Sequence, residues 1–486
     1  MNKLITVLCL GLIVPLLPAQ ETNELQELKR QMQRMQENFK KVHTEDRALI
    51  NALSKKVDQL AGAQTAAVDQ KLLERELSAE MSTNTSVTAQ PAVEVKPAWS
   101  PAQPITVARA GSAYMNISFD ALMAVGGSTA ADPSAQLQLG DHDPGKNGFS
   151  LRNAEISLDG AVDPYFKGFA NIVLKLDNHN ETSIELEEAY AQSSSLPANL
   201  QLKAGQFFAN FGRQNSQHPH AWAFVDQPII LGRAFGPDGL RSIAAQLSWL
   251  VPTPFYTELF LGILDGQGGT SFSFRNPGEP DNLGVNRFAG RATLNRNLQG
   301  AEDLVFTPRL ASSFEVNDQQ TLVVGASAAL GPNDTGPHTR TEIYGVDAYW
   351  KWKPSHADAG FPFVSWQTEL LYRRFEAGAD ATASTPLPAE MLHDWGFYSQ
   401  VLWGIKPRWV AGLRGEYATG NHALDDPNEV FRGERTRISP VLTFYPSEFS
   451  KLRLQYNYDH GARFGDAHSV WLQMEFLLGA HGAHKF

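Results

Sequence analysis

The chain has 486 residues with 41 Lys and Arg against 52 Asp and Glu, a formal charge of −11. That balance argues against a nucleic-acid partner. Its single cysteine, Cys9, lies in an N-terminal apolar run, and no later run of eighteen apolar residues exists. A disulfide framework, a thiolate metal site and a membrane-crossing helix are therefore all excluded from the rest of the chain.

The first twenty residues, MNKLITVLCLGLIVPLLPAQ, place Lys3 before an apolar run from Leu4 to Leu17 and end in Pro18-Ala19-Gln20. This is the anatomy of a secretory signal cut near Ala19, and Cys9 would leave with it. The first 108 residues then balance 12 basic against 12 acidic side chains, so the whole negative excess lies from Arg109 onward. Over 21–80 the residues Leu25, Leu28, Met32, Met35, Phe39, Val42, Leu49, Leu53 and Leu60 recur at alternating steps of three and four. Asp46 and Lys56 interrupt the seam. The 3.5-residue period predicts an α-helical coiled coil. Residues 81–109 follow as a Pro/Ser/Thr-rich linker.

From residue 110 the period becomes two. In YGVDAYWKWK, Tyr344, Val346, Ala348, Trp350 and Trp352 share one face, and Asp347, Lys351 and Lys353 share the other. FKGFANIVLKLD sets Lys167, Asn171 and Lys175 opposite Ile172, Leu174 and Leu176, and KLRLQYNYD sets Lys451, Arg453, Gln455 and Asn457 opposite Leu452, Leu454, Tyr456 and Tyr458. Such stretches run nine to twelve residues, long enough for a tilted strand to cross a bilayer. Sixteen of them are predicted between 112 and 478. They are joined by short turns such as VPTP, NDQQ and KPR at one end and by mostly longer loops at the other, including 125–148, 209–240 and 266–302. The expected fold class is all-β: a 16-stranded antiparallel transmembrane β-barrel over 110–486, preceded by the coiled coil. Aromatics near strand ends fit interface girdles, and the turn asymmetry is that of an outer-membrane barrel. A barrel of this size is expected to enclose an aqueous lumen, lined here by Lys167, Lys175, Glu185, Glu187, Lys351 and Lys353.

LKAGQFFANFGR (Leu202–Arg213) resembles the Gly-Gln-Phe…Phe-Gly segment of the phosphate-selective porin O and P family, and EEAYAQ on the preceding strand is similar to that family's strand there. The HPHAWAFVDQP and GPDGLR segments resemble a branch of predicted zinc-regulated outer-membrane proteins. The resemblance implies a trimeric channel for small anions in the bacterial outer membrane, with a constriction lined by basic side chains and the coiled coil in the periplasm. It also implies that the loop after strand five folds inward. The family's phosphate-holding lysine cluster has no counterpart; twenty of the barrel's 29 basic residues are arginine.

The inward loop carries the candidate constriction residues Arg213, Asp226, Arg233, Asp238 and Arg241, where arginines attract anions and facing carboxylates set a transverse field. Salt bridges pinning the loop to the wall are the structural alternative. His218 and His220 share a face in extended chain and are candidate zinc ligands, though two imidazoles do not close a site and His481 and His484 lie far along the chain. No other cofactor is expected. Glu185 and Glu187 point to the lumen, and no nucleophile elbow, phosphate-cradling glycine loop or H-E-x-x-H motif is present, so an enzyme is not expected. The leading function is passive diffusion of small hydrophilic solutes or anions through a homo-trimeric channel in outer-membrane lipid. Zinc-linked uptake and a coiled-coil tether to peptidoglycan or a periplasmic partner are the alternatives. An energised receptor with about 22 strands and a plug domain does not fit in this length. Phe486 matches a terminal aromatic assembly signal, although eight residues follow the last predicted strand.

Overall fold

A computed structural model describes residues 104–479 apart from 112, 195, 295 and 426–430. The expected signal peptide, the coiled coil, most of the linker and Phe486 lie outside the described residues. All that is described belongs to one compact unit, Ala98–Phe486.

Sixteen long strands make the wall: β1 (Ala113–Ser128), β2 (Gly148–Ala161), β3 (Phe166–Leu176), β4 (Thr182–Ser193), β5 (Leu200–Phe208), β6 (Arg241–Leu250), β7 (Tyr256–Leu264) and β8 (Val305–Asn317). The remainder are β9 (Gln320–Pro332), β10 (Arg340–Trp352), β11 (Phe363–Ala377), β12 (Glu390–Lys406), β13 (Trp409–Gly420), β14 (Arg435–Ser447), β15 (Ser450–Gly461) and β16 (Gly465–Leu478). Each pairs antiparallel with its chain neighbours, and β1 pairs with β16 from Phe119↔Leu478 to Ser128↔Ser469, which closes the ring. All sixteen predicted strands are present within a few residues of their expected limits. A short strand, Ile105–Ala110, falls inside the predicted linker and pairs with the start of β1, from Ile117 to Ala113, just beyond the reach of β16.

The wall forms because alternate side chains meet different solvents. On β15, Leu452, Leu454 and Tyr456 are exposed on the outer surface while Lys451, Arg453, Gln455 and Asn457 are buried inside. The same alternation leaves Leu247, Leu261, Leu310, Val346, Leu370, Val401, Leu442 and Leu472 exposed outward, a continuous apolar band. Only a closed barrel satisfies every backbone group within such a band if it faces lipid.

The interior departs from the expected water-filled lumen. Loop 209–240 enters the barrel and builds an apolar core there. Its short helix α1 (Ile229–Phe235) is buried at every position. Phe207, Phe211, Ile229, Ile230, Phe235 and Leu240 pack with the inward wall residues Ala329, Ile343, Leu371, Tyr398 and Ala418. The stretches that suggested a wet wall, such as YGVDAYWKWK, carry charges on their inward face. Opposite α1 the inward positions are themselves apolar, and Ile343 beside the outward Tyr344 breaks the polar–apolar alternation. Burial of each large apolar side chain stabilises by about 1.5–3 kcal/mol, so this core fixes the loop's place. Loop 265–304 adds a small three-stranded sheet (Glu279–Pro280, Asn286–Phe288, Arg291–Ala292) that the periodicity did not predict.

Candidate functional site

The inward loop is anchored at its base, middle and tip by wall groups. Gly212 adopts φ +59°, a conformation favouring glycine, and a side chain there would strike the Glu369 carboxylate. That turn lets the backbone N–H groups of Arg213 and Gln214 donate to Glu369 Oε1 at 3.1 and 2.7 Å, while the Tyr398 hydroxyl donates to the same oxygen at 2.6 Å. The Asn215 amide spans the loop's base, donating to the Ala209 and Leu240 carbonyls and accepting from the Leu240 N–H. At the start of α1, Ile229 N–H donates to Glu416 Oε2 at 2.7 Å.

Asp226 is the loop's central ionic anchor. It pairs with Arg414, and with Arg437 at 3.2 Å, and accepts from the Gln455 and Asn457 amides at 2.8 and 2.7 Å. Burial alone would push its carboxyl up, but Arg414 and then Arg437 outweigh it and hold it at about 2. Arg453 continues this basic wall, donating to the Trp222 and Phe224 carbonyls. Asp394, Glu416 and Asp459 balance part of the arginine sector.

Arg233, on α1, reaches this sector from the loop side. It donates to the Gly433 carbonyl at 3.1 Å, while its Nε and Nη1 are buried without a hydrogen-bond partner. Burial pushes its guanidinium down to about 10; Asp394 opposes that, and Arg435, Arg373 and Arg432 add to it. Arg233, Arg373 and Arg432 line a cavity of about 360 Å³ together with Phe272, Phe288 and Phe375. Arg373 and Arg432 approach the Asp394 carboxylate there at 2.6 and 3.0 Å.

A second sector, on β1–β4, is built from carboxylates and imidazoles. His218 contacts Glu187 through Nδ1 at 2.8 Å and Glu188 through Nε2 at 2.9 Å. Burial would push this imidazole down, but the Glu187 charge and hydrogen bond, with Glu188 behind them, raise it well above its usual value. His142, from loop 129–147, reaches Glu187 at 3.4 Å; burial opposes its protonation, and Glu187 raises it to about 9. His220 stacks on His218 with ring centroids 5.7 Å apart, and its Nδ1 stands 3.2 Å from Asp120 Oδ2 and 3.3 Å from Glu155 Oε2.

The other sequence candidates divide clearly. Arg241 is buried against Glu185 and the Leu186 and Glu187 carbonyls. Arg213 is half-buried, its guanidinium 4.0 Å over the Tyr349 ring and its Nε donating to Gln367. Asp238 gathers with Asp141 and His142. Lys175 pairs with Asp141 and Glu185 on the inner wall, Lys351 lies over Phe363, Lys353 sits in the turn past β10, and Lys167 is exposed at the end of β3. The spacing put Glu188 on the face away from Glu187. A bulge between Asn171 and Ile172 in the β3–β4 register turns both inward. Asp120, Glu155, Asp394, Arg373 and Arg432 were not singled out. Inward parity on their strands was the available signal, and it does not show which segments meet.

The fold and site thus define a closed sixteen-stranded antiparallel β-barrel whose long third loop folds inward between a basic and an acidic wall sector. No family model matches the chain. An uncharacterized protein of Aquifex aeolicus (strain VF5) is 32% identical over 366 residues, covering 71% of this chain and 73% of that protein, and the chain belongs to the same family. Among solved structures it is similar to the outer membrane channel DcaP of Acinetobacter baumannii, with a TM-score of 0.46 and 13% identity over 76% of this chain and 98% of that one. It is also similar to an anion-selective porin from Comamonas acidovorans, with a TM-score of 0.46 and 8% identity over 75% of this chain and 100% of that one.

Proposed function

We propose that the chain is an outer-membrane channel for passive diffusion of small hydrophilic solutes, anion-preferring, with loop 209–240 as its constriction. The outward apolar band and the closed ring support a lipid-embedded wall. The observation that carries the anion preference is Arg233: a buried guanidinium with unsatisfied N–H groups, beside Arg373 and Arg432 at the edge of the 360 Å³ cavity. Donors of that kind attract an anion that accepts from them. In this reading Arg213 and Arg233 face the permeating solute, whereas Asp226 and Arg241 lock the loop to the wall and Asp238 sits toward the acidic side. A homo-trimer is part of the same reading, tested by cross-linking in detergent.

The deciding experiment is planar-bilayer recording with reversal potentials in asymmetric KCl and in phosphate. An anion-selective reversal that Arg233→Ala moves toward cations is expected. A cation-selective wild type removes the anion preference, and absence of conductance removes the channel.

A further inference from the structure

Asp120 on β1, Glu155 on β2 and His220 at the tip of the inward loop point donor atoms at one spot inside the barrel. Their three ligand atoms all lie within 4.8 Å of one another. The His220 Nδ1 stands 3.2 Å from Asp120 Oδ2 and 3.3 Å from Glu155 Oε2, both longer than a charge-assisted hydrogen bond of about 2.7–2.9 Å. A tetrahedral zinc ion with bonds of about 2.0–2.1 Å sets its donors about 3.3 Å apart.

A second observation is independent of that spacing. Asp120 is 5% exposed and Glu155 1%. Both oxygens of Asp120 and Oε2 of Glu155 are nevertheless buried with no hydrogen-bond partner. Buried carboxylates are costly unless paired and hydrogen-bonded. The neighbouring groups have their nearer partners elsewhere. His218 gives its two ring nitrogens to Glu187 and Glu188 and stands 3.8 Å from Glu155 Oε2, and Lys451 donates to the His220 carbonyl at 2.5 Å and pairs with Glu475 at 2.5 Å. The Asn153 amide holds Glu155 Oε1 at 2.8 Å and leaves Oε2 turned to the spot, an orienting contact of the type metal ligands receive.

We infer that Asp120, Glu155 and His220 form a three-ligand site for a divalent first-row transition ion, with a fourth position open to water or solute. One imidazole and two carboxylates, without thiolate, suit zinc or its neighbours rather than a soft monovalent ion. The ion joins the loop to β1 and β2 in one coordination sphere, so the loop's inward position becomes metal-dependent. This site stands whether or not the barrel conducts.

The test uses the full mature chain in detergent, stripped with a chelator and titrated with ZnCl₂ by calorimetry. Bound metal is counted by mass spectrometry, and heat-modifiable gel migration reports a folded barrel. One zinc per chain is expected, retained by H481A/H484A and weakened at least about tenfold by either His220→Gln or Asp120→Asn. A wild type that takes up no zinc overturns the site, as does undiminished affinity in folded H220Q. Should both ligand variants lose the folded migration, the cobalt-loaded wild type decides: the intense visible bands of a four-coordinate ion support the site, and weak octahedral bands overturn it.

Discussion

Replacing Asp226 by Asn removes one charge from the centre of the loop while keeping its shape. Removing one partner of a buried ion pair costs about 3–5 kcal/mol because the other charge is left uncompensated. Here Arg414 keeps Glu416 at 2.8 Å and Arg437 keeps Asp459 at 2.8 Å, so the loss belongs at the lower end, about 3 kcal/mol. Protonation gives a second route to the magnitude. A carboxyl held at about 2 instead of about 3.9 contributes roughly 2–3 kcal/mol, of the same order. Either figure shifts the ratio of inward to released loop by about two decades. Because the folded value lies below the unfolded one, the contribution is complete above about pH 4 and lost as pH falls through about 2. Single-channel recording in KCl at pH 7 is the assay. Asp226→Asn is expected to raise conductance and add slow transitions between levels, and wild type is expected to do the same only near pH 2. A variant with wild-type conductance and no added transitions, its loop as protease-resistant as before, would refute the anchoring role.

Two further predictions concern the apolar surfaces. Phe211 is fully buried with its ring edge-on to Phe235 at 4.9 Å, so Phe211→Ala should cost about 3–5 kcal/mol and lower the midpoint of thermal unfolding in detergent. An unchanged midpoint would mean that the loop contributes nothing to barrel stability. Leu472 faces outward near the middle of β16, and Leu472→Arg should cost about 2–4 kcal/mol when the barrel folds into vesicles; equal folding in denaturant titrations would argue that this face does not meet lipid.

The wall was legible because period-two alternation is a local property. Trp350 and Lys351 declare opposite faces without knowledge of any partner strand, and all sixteen strands follow from that. The third loop was recognisable from its length and its place after strand five. Its interior packing was not, because Ile343, Leu371 and Tyr398 become a core only when α1 lies on them. The acidic sector was half legible: His218 and His220 stood out, but Asp120 and Glu155 are inward carboxylates like many others until the loop tip is placed between them. Glu188 needed the bulge, which moves a side chain across the sheet without a clear mark in the sequence. Arg435 and Arg437, two apart in RTRIS, carried an inward-facing signal, but Arg437's partner Asp226 lies some two hundred residues earlier, while Arg435 pairs with Asp459 on the next strand.

The loop's anchors also bear on how the molecule is assembled. Trp222 and His220 find partners on β15, 231 residues later, and Asp226 needs both β14 and β15. None of these contacts exists while the final strands are still outside the sheet. Before closure His220, Trp222 and Asp226 lack these partners, although β9–β13 carry the residues that cover the loop's apolar side chains, so sealing the seam and seating this part of the loop become one cooperative event. Such long-range dependence makes folding slow and leaves a sticky intermediate. The last hairpin therefore acts as a latch on the loop's middle, and a truncation that spares the loop entirely would still leave residues 220–226 without their β15 partners.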